Sequence, residues 1–319
     1  MGFDVIIALF AGLSLFLYGM QIMSDALQKS AGDRLKKLLE ILTTNKYIGV
    51  LVGAAITAVI QSSGATTVMV VGLVNAGIMN LSQAVGVIMG ANIGTTMTAQ
   101  IIAFKLTNIV PYAIIIGAIL VLFSSKKSRK HLGELIIGFG ILFMGINMMG
   151  DAMKPLKDIP EFSQFMIGLE DNPLLGVLSG LLLTAVIQSS SATIGILQVL
   201  AMQGLVPIEA ALPILFGDNI GTCATALIAS IGTSLTAKRA AIMHVTIKII
   251  GTIIFMFILH PVTSLVVLTA SEPARQIANA HTLFNITNTV ILLPFSAMLI
   301  TFVTKVLPGE DVYDKFALK

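Results

Sequence analysis

A chain of 319 residues with 11% charged and 56% hydrophobic side chains cannot clothe itself in a water-facing surface, because soluble domains carry about 25% charged residues. Its net charge of +3 comes from scattered Lys and Arg and excludes a nucleic-acid footprint. The single Cys223 excludes an internal disulfide framework and a Cys-based metal site.

The first apolar run, Val5–Met23, approaches the ~20 residues that cross a hydrocarbon core. It lacks a basic n-region and a small-residue cleavage site, so it reads as a retained span and not as a signal peptide. A connector at 24–46 carries Lys29, Arg34, Lys36, Lys37 and Lys46. Ile48–Ile60 follows and is too short to cross alone. It ends at Gln61-Ser62-Ser63-Gly64-Ala65-Thr66-Thr67, in which five of seven side chains are polar. Asn92, Thr95, Thr96 and Thr98 form a second polar group, Lys105 marks an interface, and Ile109–Phe123 is the next apolar run. The densest basic stretch is Lys126-Lys127-Ser128-Arg129-Lys130. Beyond it come the runs Leu132–Met149, Leu174–Ile187, Ala240–Leu259 and Ile286–Val303. Lys248 lies near the middle of Ala240–Leu259, where a lone charge must pair, snorkel or lose its proton. Lys238-Arg239 most simply marks a further interface.

The chain repeats itself. Residues 45–66 and 172–193 share 14 identities in 22 positions without a gap, at an offset of 127. The second copy ends Gln188-Ser189-Ser190-Ser191-Ala192-Thr193. The same offset aligns Gly90-Ala91-Asn92-Ile93-Gly94-Thr95 with Gly217-Asp218-Asn219-Ile220-Gly221-Thr222. Such repeats are a hallmark of secondary transporters. The counterpart of the first connector, 151–172, holds only Lys154 and Lys157 against five acidic residues. Basic loops stay in the cytoplasm, so 24–46 and 124–131 are expected inside and 151–172 outside, which makes the repeat an inverted one.

Polar groups inside apolar stretches must face protein or a wet cavity. Ser, Thr and Gly can simply mediate tight helix packing. Clusters placed symmetrically in both halves favour a site. Broken helices meeting near the midplane would aim half-helix N-termini at an anion, while hydroxyls and amides supply oxygens for a small hard cation. No Arg or Lys lies in either Gln-Ser-Ser cluster. Asp218 reads as a hairpin-tip residue, either a sodium ligand or a cap. His244 and His281 read chiefly as packing donors, and Cys223 should lie beside the substrate pathway. An enzyme is disfavoured, because the His at 131, 244, 260 and 281 form neither a metal motif nor a nucleophile–base set.

The paired Gln-Ser-Ser motifs with Gly-x-Asn-Ile-Gly-Thr resemble the type II sodium/phosphate cotransporter family over roughly residues 10–300. The resemblance implies an all-α integral membrane protein of two inverted repeats, with re-entrant helical hairpins meeting near the bilayer midplane. It places the first repeat at 1–131, the second repeat with the C-terminal spans at 132–304, and a cytoplasmic tail at 305–319. It implies phosphate contacts at Gln61, Ser62, Ser63, Gln188, Ser189, Ser190 and Ser191, and co-transported sodium ions at Thr66, Asn92, Thr95, Asp218, Asn219 and Thr222. Lys248, His281 and Asn285 are accessory candidates. The expected partners are inorganic phosphate, Na+ and the lipid bilayer of the cell (plasma or inner) membrane, crossed several times, and a homodimer stays open. Competing readings are another small oxyanion, such as arsenate or sulfate, and a passive anion pore.

The sequence also departs from the family pattern. Gly64 stands where a third Ser is usual, and Asp218 replaces a small residue. His281-x-x-x-Asn285 is echoed by His244-x-x-x-Lys248, with Lys in place of Asn. Many bacterial relatives carry a C-terminal phosphate-regulator domain, and the resemblance here is to a short form without it.

Overall fold

The computed structural model describes residues 3–41, 45–104 and 106–309. The expectations for Lys105 and for the tail beyond 309 lie outside these residues. All regular structure described is helical. In the first half run α1 (Phe3–Ile41), α2 (Lys46–Ile60), α3 (Ser63–Asn75), α4 (Leu81–Gly94), α5 (Thr96–Ile102) and α6 (Val110–Phe123). The second half holds α7 (Lys127–Met153), α8 (Pro160–Asp171), α9 (Pro173–Ile187), α10 (Ser190–Met202), α11 (Ile208–Gly221) and α12 (Cys223–Ala229). It continues with α13 (Leu235–Phe257), α14 (Leu259–Leu268), α15 (Pro273–Leu292) and α16 (Ser296–Val306). Helices α2 to α5 and α9 to α12 begin and end at positions related by the 127-residue offset.

Among the described residues, five stretches are long and apolar enough to cross a membrane: Phe3–Gly32, Leu81–Ile102, Lys127–Asp158, Ile208–Ala229 and Leu235–Phe257. The bent pairs α8–α9 and α15–α16 raise the number to seven if each is one span. The exterior suits lipid, with Phe10, Leu122, Phe123, Val186, Phe257 and Leu268 among the large apolar side chains that it exposes. Three of the apolar runs are not single long helices. Ile286–Val303 breaks between Leu292 and Ser296 with an 87° bend, at Pro294, which removes a backbone donor and clashes with the preceding turn. Ala240–Leu259 breaks at Ile258, three residues before Pro261. Ile109–Phe123 yields α6, whose 14 residues fall short of a full crossing. Conversely, Leu81–Ile102 and Ile208–Ala229 are long helical stretches in which interspersed polar residues interrupt the apolar run.

Glycines set the packing. α1 lies against α7 with the chains antiparallel: Gly12 faces Gly145 and Met149, Gly19 faces Gly138 and Leu142, and Lys29 reaches Glu134 at 2.9 Å. α2 and α4 run parallel, with Gly86 on Lys46, Gly90 on Val50 and Gly94 on Ala54. α9 and α11 repeat this, with Gly217 on Val177 and Gly221 on Leu181. Small residues four apart let helix backbones approach closely, which is how helices associate where lipid removes the hydrophobic drive. The outer glycines of Gly-x-x-x-Gly at 90–94 and 217–221 are therefore packing residues, and the motif's Asn faces elsewhere.

The halves also interlock. α3 packs on α12 of the other half, and α10 packs on α5. α13 and α15 occupy matching places: Thr252 Oγ1 donates to the carbonyl of Phe216 at 3.3 Å, and Thr289 Oγ1 to that of Met89 at 3.4 Å. Met89 and Phe216 are themselves 127 positions apart.

Candidate functional site: a cavity between two broken helices

The site is built on two backbone irregularities. Gln61 and Gln188 are the only non-glycine residues at positive φ among those described, at 59° and 56°. Each caps the C-terminus of its helix, α2 or α9, with its N–H bonded to the carbonyl of Thr57 or Thr184. Left-handed backbone is unfavourable for a residue with a Cβ, so a glutamine held there twice is a strained feature of the kind that clusters at functional sites. One residue later the chain restarts. Ser62 and Ser189 are extended N-caps whose Oγ atoms accept from the N–H groups of Ala65 at 3.1 Å and Ala192 at 3.2 Å.

Matched hydroxyl bridges brace the breaks. Thr57 Oγ1 and Thr66 Oγ1 lie 2.9 Å apart, as do Thr184 Oγ1 and Thr193 Oγ1. Thr184 also donates to Asp218 Oδ1 at 2.8 Å, and because it has one proton it must accept from Thr193. Ser24 of α1 donates to the carbonyl of Ile60 at 2.6 Å, closing the end of α2. Gln61 is held through both ends of its amide: Nε2 donates to the carbonyl of Ala58, and Oε1 accepts from Thr98 at 2.9 Å.

Both turns open on one cavity of about 190 Å³. It is lined by Gln61, Ser62, Ser63 and Gly64 from one half, by Gln188, Ser189, Ser190, Ser191, Thr222 and Thr225 from the other, and by Leu17, Met20, Gln21, Ser24 and Ile60. No lining side chain is charged. The first N–H groups of α3 and α10 have no upstream carbonyl within their own helices, and both positive helix ends stand at this cavity.

The seven residues expected at phosphate all line this cavity. Of the six expected at sodium, only Thr222 does. Thr66, Asn92, Thr95, Asp218 and Asn219 are buried outside its lining. Asn92 Oδ1 meets His244 Nε2 at 3.2 Å. Asn219, Lys248 and Asn285 come together between α11, α13 and α15, with Lys248 Nζ 2.7 Å from each amide oxygen. Asn285 Nδ2 donates to the backbone carbonyl of His281 at 3.0 Å.

Two sequence expectations are corrected. Asp218 is not at a hairpin tip: it lies in the last turn of α11, fully buried, because the α11–α12 stretch packs along α9 through its glycines. Cys223 is buried and absent from the cavity lining, since Thr222 and Thr225 take the cavity face of that segment. Arg239, read as marking an interface, is buried near the start of α13 and donates to the carbonyls of Leu307 at 2.9 Å and Gly309 at 2.7 Å, beyond the C-terminus of α16. Gln21 and Ser24 are lining residues that the sequence reading did not select. The available signal was a Gln and a Ser three apart on one face of α1, at the end of its apolar run Val5–Met23.

A sequence-family model described as Na+/Pi-cotransporter matches residues 15–151 and 158–286. The Bacillus subtilis (strain 168) protein YqeW, whose name records no function, is 29% identical over 306 residues, covering 96% of this chain and 99% of its own. YjbB of Salmonella typhimurium, provisionally named an inorganic phosphate export protein, is 24% identical over 306 residues, and the match spans 56% of its length. Sodium-dependent phosphate transport protein 2A of Mus musculus is 37% identical over 97 residues, 29% of this chain and 15% of that one. No solved structure matches.

Proposed function

The chain belongs to the Na+/Pi-cotransporter family, and on that premise we propose that it carries inorganic phosphate across the cell membrane by alternating access, with sodium ions moving alongside. One observation carries the reading: two Gln-Ser-Ser turns, each at a strained helix break, converge on a single uncharged cavity. Hydroxyls, amides and two helix N-termini can hold a dianion without a cationic side chain. A bidentate Arg would bind it more strongly and slow its release. In this reading Gln61, Ser62, Ser63, Gln188, Ser189, Ser190 and Ser191 contact phosphate. Sodium draws on Thr66, Asn92 and Thr95 in one half; in the other the candidate set is Asp218, Asn219 and Thr222, of which the Asn219 amide oxygen already holds the Lys248 ammonium. Support for the second set comes from Asp218, whose Oδ2 is buried without a partner.

The proposed architecture is an inverted repeat, 1–131 and 132–304, with α2–α3 and α9–α10 as re-entrant hairpins. It is supported by the antiparallel packing of α1 and α7, which begin the two halves. Transport through such a fold is rocking of one repeat against the other around a shared site.

The test is labelled phosphate flux in proteoliposomes. An inward sodium gradient should drive uphill uptake, and equal uptake with potassium in its place would refute the coupling. Because YjbB carries an export name, efflux from phosphate-loaded vesicles is measured beside uptake. Competition by arsenate or sulfate at equal concentration separates phosphate from other oxyanions.

A further inference from the structure

Behind the cavity, α11, α13 and α15 enclose a second polar cluster that phosphate does not need. At its centre is the Lys248 ammonium, buried and 2.7 Å from both Asn219 Oδ1 and Asn285 Oδ1. The orientation of these amides is fixed by their other ends. Asn219 Nδ2 donates to the carbonyl of Leu215 at 2.9 Å and Asn285 Nδ2 to that of His281 at 3.0 Å, so the oxygens must point at Nζ. Two preset carbonyl oxygens converging on one point, with the Asp218 carboxylate buried one residue before Asn219 but beyond ion-pair distance of Nζ, are the beginning of a donor set suited to a small hard cation. Here an ammonium occupies it.

Lys248 is not the partner in an ordinary ion pair. Asp218 and Lys248 form no salt bridge. Asp218 Oδ1 is bonded to Thr184, and Oδ2 is buried without a partner. Both charges are additions to the pattern that the two halves share. The position matching Asp218 is Ala91, and the position on α15 matching Lys248 on α13 is Asn285. In the first half the matching Asn92 meets only a histidine ring, His244. One negative and one positive charge thus enter the same cluster together. That is required energetically, since either alone would be a buried, uncompensated charge.

We propose that the Lys248 ammonium is a tethered cation that takes the place of one co-transported sodium in the second half. The proposal rests on the sodium-coupled reading above. It implies that the transporter carries one mobile sodium fewer than its fold could accommodate, and that replacing Lys248 by a neutral oxygen-bearing residue opens that site to sodium.

The experiment titrates the purified full chain with sodium against potassium at constant ionic strength and reads the melting temperature. Lys248→Asn leaves Asn219, Asn285 and the new amide oxygen around a vacated centre, with the buried Asp218 carboxylate no longer offset by the ammonium. It should gain a sodium-specific stabilisation beyond that of the unaltered protein, about 5 °C at saturation. Lys248→Met, which brings no oxygen, and the double variant Asp218→Asn/Lys248→Asn, which lacks the carboxylate, should not gain it. In vesicles the ratio of labelled sodium to phosphate should rise by one in Lys248→Asn. A Lys248→Asn protein with the unaltered sodium response overturns the proposal. So does one that stays unfolded at every sodium concentration, since sodium should replace the ammonium. Sodium-independent phosphate uptake by the unaltered protein would instead overturn the coupling. The stability titration involves no phosphate, so the two failures are distinguishable.

Discussion

Gln61 and Gln188 each hold a left-handed backbone conformation that glycine would adopt without strain, so their side chains must compensate with something a glycine cannot offer. At Gln61 the amide ties the Ala58 carbonyl and the Thr98 hydroxyl to the break and presents the remaining capacity to the cavity. The two roles of each glutamine, backbone and side chain, separate by mutation. Gln61→Ala and Gln188→Ala should each abolish phosphate flux while folded protein is retained. Gln→Gly at either position should abolish flux equally, yet melt higher than the alanine variant by the equivalent of about 1 kcal/mol, because only the alanine keeps the Cβ clash. Flux at the unaltered rate in either alanine variant would assign these residues to packing.

At the scale of the element, the helix pairs α2–α4 and α9–α11 are held by backbone-to-backbone approach. A Cβ on Gly94 would stand 2.5 Å from the Ala54 carbonyl oxygen, and one on Gly221 2.5 Å from that of Leu181. Neither carbonyl can swing away, because each belongs to a helix interior. Gly94→Ala and Gly221→Ala should therefore cost about 1–3 kcal/mol each, the range for overpacking, read as a fall in melting temperature. Gly72→Ala is the control, since a Cβ there meets nothing within 4 Å and α3 should gain slightly in helix propensity. A stable Gly94→Ala protein would mean that the pair does not pack as described.

For the whole molecule, the antiparallel contact of α1 with α7 and the opposite charge of the two connectors bear on one question, which side each half faces. In a Cys223→Ser background, cysteines placed at the exposed positions Ser30 and Lys157, one in each of the two matching connectors, should differ. A membrane-impermeant maleimide should label the Lys157→Cys protein from outside intact cells, and the Ser30→Cys protein only after the membrane is opened. Labelling of both from the same side would refute the inverted repeat. The interlock of α3 with α12 and of α10 with α5 means that neither half closes its own site, so separately expressed halves should not transport.

The sequence alone determined the membrane class and the duplication, and it pointed to seven of the residues that line the cavity. Composition excluded a soluble surface, an ungapped 127-residue offset is visible without coordinates, and Gln-Ser-Ser stands out because polar side chains are costly in lipid. It also marked Lys248, since His281-x-x-x-Asn285 and His244-x-x-x-Lys248 differ at one position. What it could not assign was the partner of each polar group. Asp218, Asn92 and Asn219 share motifs with residues beside the cavity, yet an α-helix turns about 100° per residue, so neighbours in sequence face different helices in space. Thr222 therefore reaches the cavity while Cys223 is buried away from it, and Asn219 meets Lys248. The echo of His281-x-x-x-Asn285 in His244-x-x-x-Lys248 hinted at the equivalence of α13 with α15, and packing decided it. Their matching threonines bind carbonyls on α11 and α4, and the 37-residue spacing between them follows from the length of the helices between and not from the duplication.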